Sequence, residues 1–305
     1  MKIGYPCINL SLEGKGNKTF RLRSYSEERL IETVKNNLDY LHSTLRFNVE
    51  HQLLFFRISS DLIPFGSHPV CQSPWGDYFK EKFRAIGDFI KRNNIRISMH
   101  PDQFTLINSL DEKVYENTIR ELMYHAKILD LLGLNDSAKI QIHVGGVYGD
   151  KEESIKRFIR RFKKLSNRIC RRLVIENDDR LYSLEDCLEI HTKTGTPILF
   201  DVFHHELNNH GEAIKEAFQI FTGTWKKVDG VPMVDYSSQE IDGRRGNHAK
   251  TINVEHFKRF LNETENFDFD IMLEIKDKEK SALKAMEIVS NNPQFARVLE
   301  RDTNI

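Results

Sequence analysis

His100 in SMHPDQF, His143 in QIHVGG, Glu176 in VIENDD and Asp201 in LFDVFHH each end or closely follow a short run of β-branched and apolar residues. Asp235 in MVDYSS and Glu274 in MLEIK do the same. His204 follows Asp201 within one motif, and His68 in PFGSHP and His248 in GNHAK stand in segments that come after two such runs. One histidine at a strand end ordinarily makes a structural hydrogen bond, but a set recurring at equivalent ends points to a shared ligand. Imidazole and carboxylate without thiolate suit borderline-to-hard divalent ions such as Mn²⁺, Zn²⁺ or Mg²⁺. A set this large can hold more than one ion. Ions about 3.5–4 Å apart stabilise both the attacking and the leaving oxygen of an in-line displacement, which is the geometry of phosphodiester hydrolysis.

The runs that position these groups lie at 2–8, 53–59, 95–100, 139–144, 173–176, 197–201, 232–236 and 269–275. Amphipathic helical patterns follow at 26–42, 77–93, 113–132, 152–168, 183–193, 211–222, 253–262 and 279–290, with Ser26, Asp77, Ser183 and Asn253 as expected caps. Strict alternation with nearly continuous apolar strands implies parallel pairing, and eight repeats imply closure into a single α/β (β/α)₈ TIM barrel spanning residues 1–305. An open doubly wound sheet is the alternative. It would carry a glycine-rich phosphate loop after its first strand, where this chain reads PCINLSLEGKG. In a barrel, active-site groups sit at the C-terminal strand ends, which is where the histidines and carboxylates fall.

Composition narrows the class. The chain has 305 residues, 45 basic and 45 acidic, so overall charge gives no argument for a nucleic-acid partner and any basic surface must be local. One candidate is KRFIRRFKKLSNRICRR at 156–172, for which a solvated helix face is the favoured reading. No apolar run reaches the roughly 18 residues that span a bilayer, and MKIGYPCINL lacks a signal-peptide pattern, so a soluble cytoplasmic protein is expected. Cys7, Cys71, Cys170 and Cys187 are scattered, as befits free thiols. His42, His51, His125, His191, His205, His210 and His256 are read as structural, and Asp178 and Asp179 as caps of the next helix.

With these residues in place, the chain resembles the UV damage endonuclease family. The matching pieces, in the family's order, are GYPCINLSL, RISSDLIPFGSH, HPDQF, IHVGG, ENDD, DVFHH, YSSQ, NHA and LEIK. The resemblance implies a xylose-isomerase-like barrel that holds two or three divalent ions, Mn²⁺ first. It would cut double-stranded DNA immediately 5′ of cyclobutane dimers, 6-4 photoproducts and abasic sites, acting as a monomer at the nucleoid. The implied metal ligands are His68, His100, His143, Glu176, Asp201, His204, His248 and Glu274, with Glu176 bridging. Glu176, His68 and Glu274 would act at the reacting phosphate.

Two positions on strand seven depart from the family. Relatives carry a modified lysine followed two residues later by a histidine ligand, where this chain has Met233 and Asp235. Methionine cannot be carboxylated, while Asp235 still offers an oxygen ligand. Lys250 also stands where an acid is common. Gln103 and Phe104 match the pair that enters the duplex, Phe104 replacing a tyrosine, and Tyr5 and Asn9 match residues that contact the opposite bases or the flipped lesion. Arg244 and Arg245 in IDGRRGNH are placed to grip the phosphate backbone, with Lys15 and Lys18 as further loop cations. Three other readings share the same residues: an apurinic-endonuclease-like enzyme, a sugar-isomerase-like enzyme and an inactive damaged-DNA-binding protein. Gln103, Phe104 and the loop arginines suit a large anionic substrate better than a small sugar.

Overall fold

Eight short strands form where the apolar runs lie, in a computed structural model that describes residues 1–291. They are β1 Ile3–Pro6, β2 Phe55–Ile58, β3 Arg96–Met99, β4 Lys139–His143, β5 Leu173–Glu176, β6 Ile198–Asp201, β7 Met233–Tyr236 and β8 Asp270–Leu273. Neighbours pair in parallel in chain order, and β1 pairs with β8 to close the barrel. The last stretch of the expected 1–305 domain, 292–305, lies outside the described residues.

Period-two alternation decides what enters the barrel. Phe55, Val174, Leu199, Met233 and Met272 form a buried apolar layer of their own. Two residues further along the same strands come Arg57, Glu176, Asp201, Asp235 and Glu274, so a charged layer sits above an apolar one. The opposite faces, including Ile3, Phe56, Ile97 and Ile142, join the larger core beneath the helices. Below the apolar layer, Arg96 pairs with Asp270 at 2.8 Å and Lys139 with Asp229 at 2.6 Å. The Trp225 ring lies against both cations and closes the barrel floor. At Gly4 a Cβ would fall 1.8 Å from the Phe55 carbonyl oxygen, so only glycine lets β1 approach β2 this closely.

The helices are α1 Glu27–Glu50, α2 Trp75–Tyr78, α3 Lys80–Arg92, α4 Glu112–Leu131, α5 Lys151–Phe162, α6 Asn167–Cys170, α7 Leu184–Thr194, α8 Val202–Leu207, α9 Ile214–Thr222, α10 Val254–Glu263 and α11 Glu279–Ser290. Ser26, Ser183 and Asn253 cap α1, α7 and α10 as expected, Ser183 through a reciprocal box with Asp186. Asp77 does not cap. It lies inside α2, and the expected 77–93 helix breaks at Phe79 instead. The expected 152–168 helix likewise ends at Phe162, and α6 follows as a separate turn. No helix of the described residues is long and apolar enough to cross a membrane.

In the basic 156–172 segment Lys156, Arg160, Lys163 and Lys164 are exposed, as a solvated face requires, while two arginines hold the structure. Arg161 donates to the carbonyls of Ile107 and Ser109, and buried Arg172 donates to those of Asn135, Ala138 and Leu134 as well as to Asp130. Arg172 immediately precedes β5, which puts it at the end of the barrel opposite the histidines.

Candidate metal centre

Glu176 ends β5 and is almost fully buried, yet three imidazoles face its carboxylate. His100 Nε2 lies 3.5 Å and His143 Nε2 3.8 Å from Oε2, while His204 Nδ1 lies 3.3 Å from Oε1. The His100 ring is oriented by its Nδ1, 2.7 Å from the Pro101 carbonyl oxygen, to which it donates. So fixed, the ring turns Nε2 toward Glu176, the arrangement in which an imidazole and a carboxylate can share a metal ion. Asp201 ends β6 and also caps α8, accepting the His204 N–H at 2.8 Å. That short helix, absent from the sequence reading, is what turns His204 back over the barrel mouth.

Three groups of ligand atoms, each within 4.8 Å of one another, result: His100, His143 and Glu176; Glu176, Asp201 and His204; and Asp201, Asp235 and Glu274. Glu176 belongs to the first two. Buried Asp201 Oδ2 is an acceptor with no hydrogen-bond partner beside these imidazoles. An unpartnered buried carboxylate oxygen is costly, so these residues fit divalent ions.

The electrostatics have the same signature. Burial opposes ionisation of Glu176, but His143, His100 and His204 hold its carboxyl well below the usual range. Burial likewise works against protonation of His204, and Asp201 and Glu176 overcome it and push the imidazole up to about 11. Burial raises Asp201 to about 7 despite the neighbouring His204. His143 goes the other way, its imidazole lowered chiefly by burial.

Not every expected ligand converges. His68, on the loop after β2, belongs to none of the three groups. It is exposed, its Nδ1 accepts the Val70 N–H at 3.0 Å, and it lines a cavity of about 460 Å³ beside the barrel mouth with Asp102, Phe104 and Glu121. His248 also lies outside the groups, but its Nδ1 meets the Glu274 carbonyl oxygen at 2.8 Å and its ring stands 6.1 Å from that of His204, so it borders the cluster. Glu274 lines the mouth; burial opposes its ionisation, and Arg57 holds its carboxyl down at about 2.

Tyr5 and Asn9 are corrections. Tyr5 points out of the barrel into the helix layer, where its hydroxyl donates to Asn48 Oδ1 at 2.6 Å and accepts from Asn9 Nδ2 at 2.8 Å. Asn9 Oδ1 accepts the N–H groups of Ser11 and Leu12. Both side chains are buried and shape the first loop, with no face left for a base. Asp178 closes the turn before Tyr182, accepting from the N–H groups of Arg180, Leu181 and Tyr182, and Ser183 takes the helix cap expected of the two aspartates.

The duplex-facing candidates are exposed. Gln103 and Phe104 form a turn beside His100, and 75% of the Phe104 surface is open to solvent. They line a cleft of about 830 Å³ together with Arg57, His143, His248 and Glu274. Arg244 and Arg245 are exposed, Arg245 donating to the Leu207 carbonyl oxygen at 2.7 Å.

Two residues of the centre escaped the sequence reading, Arg57 on β2 and Gln141 on β4. Gln141 Nε2 donates to Glu176 Oε2 at 2.8 Å and to Asp235 Oδ2 at 2.7 Å. Arg57 donates to both Asp235 oxygens and to Glu274. The available signal was a polar residue at an inward position, alone in the FFRI strand and between Lys139 and His143 on one face of KIQIH.

His125, read as structural, lies fully buried on α4 with Nε2 3.0 Å from Ser60 Oγ, which itself donates to the His100 carbonyl oxygen. Burial lowers its pKa, against the pull of Glu121. As pH falls through about 6.5, the unfolded imidazole takes up a proton that the folded one resists, so stability drops on the acid side and is unaffected above. Denaturant titrations of the chelated protein should show a steeper acid loss of stability in the wild type than in His125→Asn. Equal slopes would place the acid sensitivity elsewhere.

Against known proteins, the family model described as UV-endonuclease UvdE matches residues 1–302. The UV DNA damage endonuclease of Clostridium perfringens (strain 13 / Type A) is 41% identical over 288 residues, covering 94% of this chain and 70% of that protein. The UV DNA damage endonuclease of Bacillus thuringiensis subsp. konkukian (strain 97-27) is 37% identical, covering 89% and 86%. The crystal structure of SacUVDE superposes with a TM-score of 0.91 at 49% identity, covering 95% of this chain and 98% of that one. Endonuclease IV from Thermus thermophilus, at 15% identity and a TM-score of 0.57 over 86% and 95% of the two chains, shares the fold. A closed eight-stranded parallel barrel with these histidines and carboxylates at its mouth, matched over nearly its whole length, this chain belongs to the UV-endonuclease UvdE family.

Proposed function

We propose that this chain is a metal-dependent DNA repair endonuclease that hydrolyses the phosphodiester immediately 5′ of UV photoproducts, cyclobutane dimers and 6-4 photoproducts, and of abasic sites, leaving a 3′ hydroxyl and a 5′ phosphate. The observation that carries the reading is the convergence of His100, His143, Asp201 and His204 on one buried carboxylate, Glu176, beneath an open cleft edged by an exposed aromatic ring.

His100, His143 and Glu176 would hold one ion, and Glu176, Asp201 and His204 another. Mn²⁺ is the first choice, with Zn²⁺ or Mg²⁺ as alternatives, because nitrogen and oxygen donors are mixed without sulfur. Bound ions supply Lewis acidity and neutralise charge at the phosphate. The chain's own residues do the rest. Glu176 and Asp201 fix the donor positions, and His100 and His204 are oriented through backbone carbonyls. Arg244 and Arg245 offer guanidinium groups to the scissile backbone. Gln103 and Phe104 enter the duplex, where a damaged and already weakened stack lowers the cost of unstacking. The substrate is double-stranded DNA, met by a monomer in the cytoplasm at the nucleoid.

The test is incision of an end-labelled duplex carrying one cyclobutane dimer, with Mn²⁺ or with chelator, beside undamaged and abasic duplexes. Metal-dependent cutting just 5′ of the dimer is expected. Cutting at the abasic site alone would favour an apurinic endonuclease, and no cutting with any divalent ion would leave a damaged-DNA-binding protein.

A further inference from the structure

The third ligand group, Asp201, Asp235 and Glu274, differs from the other two in kind. It contains no imidazole, and a guanidinium already sits in it. Arg57 Nη2 lies 2.7 Å from Asp235 Oδ1 and 2.6 Å from Oδ2, and Nη1 donates to Glu274 Oε1. Asp235 Oδ2 accepts a second bond, from Gln141. Arg57 and Asp235 side chains are 4% and 0% exposed, so water does not compete for these bonds. Every oxygen of Asp235 is therefore engaged. Asp201 keeps a buried oxygen without a hydrogen-bond partner, but Asp201 also belongs to the second group.

We infer that Arg57 takes the place of a third ion: the centre holds two divalent ions, both on Glu176, and Arg57 supplies the remaining positive charge permanently. A guanidinium does not lose its proton in a protein, and here Asp235 and Glu274 raise its pKa further against burial. A divalent ion among these three acids would have to displace it or stand against it in a water-poor interior, where like charges repel strongly. The two histidine-containing groups have the opposite character, with imidazole donors and unpartnered buried atoms. Met233, inward on the same strand as Asp235, lies in the apolar layer and offers only a thioether, a poor donor for a hard ion. Gln141 then links the fixed charge to the metal-bearing one. Its amide donates to Asp235 and to Glu176 together, so Arg57, Asp235 and Gln141 form a bracket that positions the bridging carboxylate.

This inference rests on the metal reading above, and ion counting separates the two. Purified protein would be loaded with excess Mn²⁺, desalted and measured by inductively coupled plasma mass spectrometry. About two ions per chain are expected in the wild type and in Asp235→Asn, against a third in Arg57→Met, which frees the acids while keeping the side-chain volume. Glu176→Gln should lose bound Mn²⁺. Three ions in the wild type, or loss of an ion in Asp235→Asn, would overturn the role of Arg57 and leave the metal reading intact. No bound ion in the wild type would overturn both. Should Arg57→Met fail to fold by circular dichroism, the wild-type count and Asp235→Asn still decide.

Discussion

Glu176→Gln should abolish incision while leaving the barrel folded. Glu176 is the one side chain shared by the two histidine-containing groups, with three imidazole nitrogens within 3.8 Å of its carboxylate and a hydrogen bond from Gln141. An amide of the same shape has one acceptor oxygen and no charge, so it can neither bridge two cations nor balance the imidazoles. Losing such a group removes several kcal/mol of transition-state stabilisation, on the order of a thousandfold or more in rate. The fold does not depend on that charge, because β5 is held by its backbone pairing to β4 and β6 and by Val174 and Ile175 on its two faces. Single-turnover incision of a dimer-containing duplex, run beside circular dichroism, checks both halves. Incision at the wild-type rate would remove Glu176 from the reacting centre. An unfolded variant would mean that the carboxylate serves the core, which the apolar layer beneath it argues against.

How much of this arrangement was readable in the sequence depends on which physical rule set each position. The eight strands were legible because a parallel strand buried on both faces must be a continuous apolar run, and the histidines and acids that end those runs fall at one rim by topology alone. Helix ends were less so. Ser26, Ser183 and Asn253 follow the capping rule, whereas Asp77 sits inside a turn that breaks at Phe79. Arg57 and Gln141 were hidden for a different reason. Their partners are far along the chain, Glu274 at a separation of 217 residues and Asp235 at 94, and only barrel closure brings them together.

Tyr5 shows how a one-residue register decides a role. On β1, Gly4 and Tyr5 face opposite sides, and the small residue takes the crowded side against β2 while the ring enters the helix layer toward Asn48 on α1. Residue type alone said aromatic at a strand end, and the pleat sends it away from the mouth. The place of His68 was not legible either, since the path of the loop after β2 is not written in any periodicity.

Phe104→Ala should erode the preference for damaged over intact duplex more than it slows hydrolysis. A phenyl ring three-quarters exposed contributes little to folding, so its truncation leaves no cavity and the loss falls on what the ring touches when DNA is bound. Stacking of a base on an aromatic ring contributes about 1–3 kcal/mol, which corresponds to roughly a 5- to 150-fold change in an equilibrium. The ring lacks the hydroxyl of a tyrosine but keeps the apolar face that replaces a lost neighbour in the stack. Intact DNA gains less from that face, because opening it first costs a few kcal/mol of unstacking that a lesion has already partly met. Phe104 also lines both the His68 cavity and the cleft over Glu274. Comparing kcat/KM on dimer-containing and undamaged duplexes for wild type, Phe104→Ala and Phe104→Tyr tests this. The tyrosine variant should keep the preference and the alanine variant should lose it, with kcat on the dimer least affected. Equal losses on both duplexes would make Phe104 a general DNA contact and move lesion recognition to another part of the rim.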